Sequence, residues 1–186
     1  MTASDEQQAD ERETVDEDEA VDEREATVDV AVEINGEKTD VVVPTSTVLS
    51  DLLREEFGLQ GVRTSCERTV CGACTVLVDG VPTASCSTFA FDVDGARVDT
   101  VEGLAVEGRL SPEQQAFAEC GGFQCGFCTS GMLMLTRALL EKHPRPDRDT
   151  IRAWISSNTC RCTGYEMIFE SVERAAELRA AQGSRS

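Results

Sequence analysis

Residues 66–86 read CERTVCGACTVLVDGVPTASC, and they contain four cysteines: Cys66, Cys71, Cys74 and Cys86. The first three share one short stretch, and the fourth follows after eleven intervening residues. A loop that carries three thiolates so close together has to wrap tightly, which Gly72 permits. Thiolates are soft ligands, so the pattern favours a soft metal over a hard cation such as magnesium or calcium.

The spacing of these cysteines is C-x4-C-x2-C-x11-C, which matches the plant-type pattern for a 2Fe-2S cluster. Two ferric ions and two sulphides need four thiolates around a compact core, and a wrapped loop also points backbone N–H groups at the sulphurs. A structural zinc site uses the same donors, so spacing alone leaves that alternative open. In that case the chain would be a zinc-stabilised protein-interaction module.

The residues before the loop predict two antiparallel strands and a short helix. Apolar residues alternate with polar or small ones over 28–34, Asn35-Gly36 is a strong hairpin turn, and 41–43 form a second apolar run. Four apolar residues at helical spacing then precede Gly58: Val48, Leu52, Leu53 and Phe57. With further strands expected at 75–78 and 97–101, this part predicts a small α+β sheet domain.

The pattern becomes helical from Ser111 onward. Ser111, Pro112 and Gln114 have the sequence of an N-cap, a first-turn proline and a capping-box partner. Three more helices are predicted from apolar spacing, around Met132–Leu139, Ile151–Ile155 and Met167–Leu178. The boundary between the two parts falls in the polar connection at residues 103–110.

A second set of cysteines lies in the helical part: Cys125, Cys128, Cys160 and Cys162. The close C-x-C pair fits common zinc ribbons poorly, whereas two helix ends brought together could hold one cluster near their positive N-termini. A rival set exists, because Cys120, Cys125 and Cys128 repeat the C-x4-C-x2-C spacing. We favour Cys160 and Cys162 as ligands, with Cys120 as a buried small residue or a free thiol.

Composition narrows the classes of partner and compartment. The 186 residues have 40% hydrophobic content and a formal charge of -18, which disfavours binding to nucleic acid or anionic membranes. No membrane span or secretory signal is evident, so we expect a cytoplasmic protein in which disulfides are a minor alternative. Residues 1–27 carry twelve acids and two arginines, and we expect them to form a disordered tail.

Three motifs together resemble the iron-sulphur part of the xanthine oxidase family: the 66–86 stretch, Gln124 to Cys128, and Cys160 to Tyr165. The resemblance spans residues 28 to about 180. It implies a β-grasp, plant-ferredoxin-like domain over 28–103 and a four-helix-bundle domain over 110–180, each with one 2Fe-2S cluster. It also implies that electrons pass from molybdopterin on a large subunit, through both clusters, to FAD on a medium subunit.

The resemblance implies two further roles and shows one departure. Gln124 and Cys162 are expected to approach the pterin, with helix capping as the alternative role for Gln124. Ser130 stands where the family usually has proline after Cys-Thr, a change expected to affect local rigidity more than ligation. A free ferredoxin-like carrier would leave the helical cysteines unexplained. No set of residues for transforming an organic substrate is present, so the substrate is determined outside this chain.

Overall fold

A computed structural model describes residues 26–183 of the chain. The predicted acidic tail, residues 1–27, therefore lies outside the described residues except for its last two. Of these two, Thr27 already begins the first strand, so the sheet starts one residue earlier than predicted.

Five strands form one mixed sheet in the order β2-β1-β5-β3-β4. Their bounds are β1 Thr27–Ile34, β2 Glu37–Pro44, β3 Thr75–Val78, β4 Val81–Ala84 and β5 Arg97–Asp99. β1 and β5 are parallel, and the other neighbouring pairs are antiparallel. The strand predicted over 97–101 ends early, because the chain turns into a 3-10 helix at Val101–Leu104.

The predicted Asn35-Gly36 hairpin turn is present, and Asp79-Gly80 forms a second one between β3 and β4. Asn35 and Gly36 have φ angles of 51° and 87°, and Asp79 and Gly80 have φ angles of 50° and 80°. Two consecutive residues with positive φ form the tight turn whose twist matches the flanking strands. The resulting β1-β2 register turns alternate residues of β1 toward the core, and these are buried: Val30, Val32 and Ile34.

The short predicted helix is present, but it is not a regular α-helix. One turn, α1 (Leu49–Asp51), continues as a π-helix over Leu52–Glu56. The wider i→i+5 turn rotates neighbouring residues relative to one another, and here it accompanies the complete burial of Leu49, Leu52 and Leu53. The spacing of the apolar residues predicted a helix but not its type, since an α-helix and a π-helix can bury the same leucines.

The four helices predicted after residue 110 are all present: α2 Pro112–Cys120, α3 Thr129–Lys142, α4 Arg148–Ile155 and α5 Glu166–Gly183. The capping box at α2 is as predicted. The Ser111 hydroxyl accepts from the Gln114 amide at 3.3 Å, and the Gln114 side chain accepts from the Ser111 amide at 2.9 Å. Asp147 caps α4 by accepting from the Thr150 amide. None of the helices over 26–183 is long and apolar enough to cross a membrane.

Two groups of buried apolar side chains form the core, and β3 belongs to both. Val76 packs among the sheet residues and the α1 leucines, while Leu77 packs among the helical residues around Met132 and Leu139. Successive residues of a strand point to opposite faces, so one strand can serve two cores. The sheet and the helices are therefore in direct contact, with α3 lying against β3.

Candidate metal centres

The first cysteine set lies at one end of the β3-β4 hairpin. Cys74 immediately precedes β3 and Cys86 follows β4, and the pairing of Thr75 with Ala84 brings the two thiols into contact. The Ser85 hydroxyl donates to the Cys74 carbonyl at 2.8 Å, which fixes the two strand ends together. The hairpin thus explains how a fourth cysteine eleven residues away reaches the loop.

Cys66 and Cys71 form the other pair of the first set. The Cys71 amide donates to the Cys66 sulphur at 3.4 Å, and the two thiols also interact directly. Backbone N–H groups of Arg68, Cys71 and Val70 lower the pKa of Cys66 to about 6, so this thiol is readily ionised. Burial has the opposite effect on Cys74 and raises its pKa to about 11. The loop therefore directs backbone N–H groups at the Cys66 sulphur and buries the Cys74 sulphur.

The second set is formed by two loops, which precede α3 and α5. The Cys162 and Cys125 sulphurs are 3.6 Å apart, and Cys128 contacts Cys160. Only Cys128 lies at a helix N-terminus, as the N-cap of α3, so the expectation that helix ends supply both pairs is corrected. Gln124 lies in the exposed loop between α2 and α3 rather than at a helix start, so it does not cap α3.

The four thiols of the second set differ in environment. Burial raises the pKa of Cys128 to about 12, and the adjacent Cys125 thiol raises the pKa of Cys162. Burial also opposes ionisation of Cys160, but contacts with Thr163 and with backbone amides outweigh it and lower the pKa of this thiol. The Thr163 hydroxyl lies 3.2 Å from the Cys160 sulphur.

The pairing of the thiols suits a two-iron cluster. Within residues 26–183, no group of three or more His, Cys, Asp or Glu side chains is arranged to hold one metal ion. The thiols instead come in pairs, and a 2Fe-2S cluster requires two ligands on each of its two irons. Directly after Cys128, the hydroxyl oxygens of Thr129 and Ser130 are buried without a hydrogen-bond partner, and they could donate to a cluster sulphur.

The two cysteine sets are joined by a close backbone contact. The Thr159 amide, next to Cys160, donates to the Cys71 carbonyl at 2.8 Å. At the same junction Gly131 approaches Gly72 so closely that a Cβ at residue 131 would lie 2.4 Å from the Gly72 carbonyl oxygen. Asn158 is fully buried beside both glycines. The first-set loop therefore packs directly on the start of α3 and on the turn after α4.

Two family models match the sequence over these regions. One, described as a 2Fe-2S iron-sulfur cluster binding domain, matches residues 14–117. The other, described as a 2Fe-2S binding domain, matches residues 100–173. Together the matches include both cysteine sets.

The small subunit of nicotine 6-hydroxylase from Paenarthrobacter nicotinovorans is 46% identical over 145 residues, which cover 78% of this chain and 87% of that relative. The xanthine dehydrogenase iron-sulfur-binding subunit of Escherichia coli O157:H7 is 46% identical over 149 residues, covering 78% and 92%. The crystal structure of quinoline 2-oxidoreductase from Pseudomonas putida 86 superposes with a TM-score of 0.81 and 41% identity, over 86% of this chain and 99% of that chain.

The chain belongs to the 2Fe-2S small subunits of the xanthine oxidase family. As a member of that family it is an iron-sulphur, electron-transfer component of an oxidoreductase, as the cysteine motifs predicted. The alternative of a zinc-stabilised interaction module is not supported by these relatives.

Cys120 lies apart from the thiol pairs of the two cysteine sets. It is the last residue of α2, and the charged groups that influence it lie on α2 and α5: Glu119, Glu170, Arg174 and Glu177. Burial is the main cause that raises the pKa of its thiol. Cys162, and not Cys120, is the residue that lies beside Cys125.

Two basic side chains of the helical part face solvent or pack beside an aromatic ring. Arg161, between two cysteines, is exposed, and His143 ends α3 with its ring 6.2 Å from that of Trp154. Asn158, Thr159 and Tyr165 were not predicted as part of the site. The one available signal was that all three adjoin the Cys160-Cys162 pair.

Proposed function

We propose that Cys66, Cys71, Cys74 and Cys86 hold one 2Fe-2S cluster and that Cys125, Cys128, Cys160 and Cys162 hold a second. The arrangement of the thiols in pairs supports this assignment: 66 with 71, 74 with 86, 125 with 162 and 128 with 160. When bound, each cluster accepts and releases one electron. Burial of Cys74 and Cys128 limits the access of water to one side of each site.

The observation that carries the proposal is the hydrogen bond between Thr159 and Cys71. It joins Cys71 of the first set to Thr159, the residue before Cys160 of the second set, over 2.8 Å. Two ligand loops held in direct contact keep a fixed separation. Electron transfer between two redox centres of one chain needs such a fixed separation. A zinc-stabilised module would have no need of this junction.

We propose that the exposed loop Phe123–Phe127 faces the molybdopterin-binding large subunit. Phe123 and Phe127 are 45% and 44% exposed on either side of Gln124 and Cys125, and the exposed Cys162 lies beside them. Aromatic side chains are enriched where protein surfaces meet. Gln124 offers both donors and an acceptor to a pterin edge. In this orientation Gln124 and Cys162 are the residues that approach the cofactor.

The first-set loop, in contrast, is proposed to face the other partner subunit. Residues 67–70 are exposed, and Val70 is 68% exposed, so the tip of this loop is accessible to a partner. We place the FAD-binding medium subunit against this loop. The chain then spans the two partners, with one cysteine set toward each.

We retain the division into a β-grasp, ferredoxin-like domain over 28–103 and a helical-bundle domain over 110–180 as part of the proposal. The strand order, with β1 and β5 parallel at the centre, and the two groups of buried residues support it. The acidic tail before residue 28 is proposed to take no part in cluster binding, because its composition offers little apolar surface to bury.

Metal analysis of the full-length chain, combined with electron paramagnetic resonance of the reduced protein, tests this function. We expect about four iron atoms per chain, two for each cluster, and two distinct signals, since hydrogen bonding and exposure differ between the sites. Zinc in place of iron, or a single signal under all reducing conditions, would contradict the proposal.

A further inference from the structure

The hydroxyl of Tyr165 makes two hydrogen bonds to the backbone of the turn that carries Cys160. It accepts from the Cys160 amide at 2.8 Å and donates to the Asn158 carbonyl at 3.1 Å. The two backbone groups flank a single residue, Thr159. One phenol oxygen therefore closes the turn around the residue whose amide reaches Cys71.

Tyr165 itself is held in an unusual backbone conformation. Its φ is 73°, in the left-handed region that residues with a side chain rarely adopt. Its amide donates to the Thr163 hydroxyl at 3.2 Å, and that hydroxyl contacts the Cys160 sulphur. Its ring lies 6.1 Å from that of Phe169. The surrounding turn and this packing together keep the phenol directed at the Cys160 backbone.

The turn that Tyr165 closes is also the one that packs on the first cysteine set. Asn158 is fully buried against Gly72 and Gly131, and its side-chain amide is 3.5 Å from the Cys128 carbonyl. The position of residues 158–160 therefore determines both the direction of the Cys160 thiol and the contact with Cys71.

We propose that Tyr165 is a positioning residue for electron exchange between the two cysteine sets. The inference rests on the proposed function and adds to it: the Tyr165 hydroxyl fixes the Thr159–Cys160 peptide, and through it the contact between the sets. Without the hydroxyl, the Cys160 amide and the Asn158 carbonyl lose their shared partner. The peptide can then rotate while the aromatic ring still fills its place beside Phe169.

Tyr165→Phe in the full-length chain tests the proposal, because this change removes the hydroxyl and keeps the ring. Flash photoreduction would measure the rate at which an electron equilibrates between the two clusters. We expect that rate to fall roughly tenfold to a hundredfold, the usual cost of losing an outer hydrogen bond at a metal site. The resonance signal of the second cluster should change, while the signal and potential of the first stay at the parent values.

Ser171→Ala is the matched control, since it removes another hydroxyl of α5, which donates to the Met167 carbonyl, and leaves the hydrogen bonds of Tyr165 in place. It should keep the parent rate of equilibration. A parent-like rate and an unchanged second signal in Tyr165→Phe would overturn the proposal. So would loss of iron from Tyr165→Phe, since the hydroxyl would then be needed for ligation itself. Failure of the proposed function is seen separately, as the absence of two clusters in the parent chain.

Discussion

The Thr159 amide donates to the Cys71 carbonyl over 2.8 Å, and this contact brings two loops that are 88 residues apart in sequence into one structure. Both groups belong to the backbone, so the contact does not depend on the side chains of Thr159 and Cys71. Their importance comes from their neighbours, because Cys71 and Cys160 belong to different cysteine sets.

Single cysteine substitutions should separate ligands from the remaining thiol. Cys125→Ala is expected to remove the second cluster and spare the first, because Cys125 pairs only with second-set thiols such as Cys162. Cys120→Ala should keep both clusters, since Cys120 ends α2, and Cys162 rather than Cys120 lies beside Cys125. Iron content and the two resonance signals are the measurements. Loss of iron in Cys120→Ala would mean that the ligand set is wrong.

The junction between the sheet and the helices should be sensitive to one methyl group. A Cβ at Gly131 would lie 2.4 Å from the Gly72 carbonyl oxygen and 2.5 Å from the Asn158 side-chain nitrogen. We expect Gly131→Ala to lower the free energy of unfolding by about 1–3 kcal/mol, the usual cost of overpacking. Gly183→Ala is the control, because nothing lies within 4 Å of a Cβ there. Thermal unfolding that is equal in both variants would show that the junction yields easily.

Truncation at the N-terminus should be tolerated up to the start of β1 and not beyond it. Deleting residues 1–25 is expected to preserve cluster content, because the composition of so acidic a segment offers little apolar surface for a core. Deleting residues 1–30 also removes Val30, which is 1% exposed, and the Ala26 carbonyl that accepts from the Thr45 amide. This longer deletion should lower both stability and iron content. A fall in iron after the shorter deletion would assign the tail a structural role.

The orientation of the chain can be tested at Gln124 in the assembled enzyme. Gln124→Ala should slow reduction of the second cluster by the substrate of the co-purifying large subunit, because the exposed amide that we propose to approach the pterin would be lost. Electron exchange between FAD and the first cluster should stay near the parent rate. Stopped-flow absorbance with each electron donor separates the two steps. Slowing of the FAD step alone would reverse the orientation.

Local features were the ones that the sequence predicted well. The Asn35-Gly36 turn and the Ser111 capping box depend on residues close in sequence, and both are present. The widened helix at Leu52–Glu56 was missed because a π-helix and an α-helix can bury the same leucines. Helix ends were also misjudged near Gln124, where α3 begins only at Thr129.

The cysteine sets could be chosen from spacing and resemblance, but the pairs within them could not. Contact between Cys125 and Cys162 depends on how α3 and α5 pack, which no local pattern encodes. The same is true of Glu113, a fully buried carboxylate that lies between Arg137 and Arg179. In the sequence it reads as an ordinary first-turn acid of α2. Such long-range partners become visible only when the helices are assembled.

The two-sided burial of β3 limits how this protein could be divided or recombined. Val76 and Leu77 are adjacent in the chain, yet each is buried in a different core. Excising the helical half would expose Leu77 to water, and excising the sheet half would remove Leu77 from the helices. A chimera that takes one half from a relative must therefore keep each face of β3 complementary to the residues that pack against it.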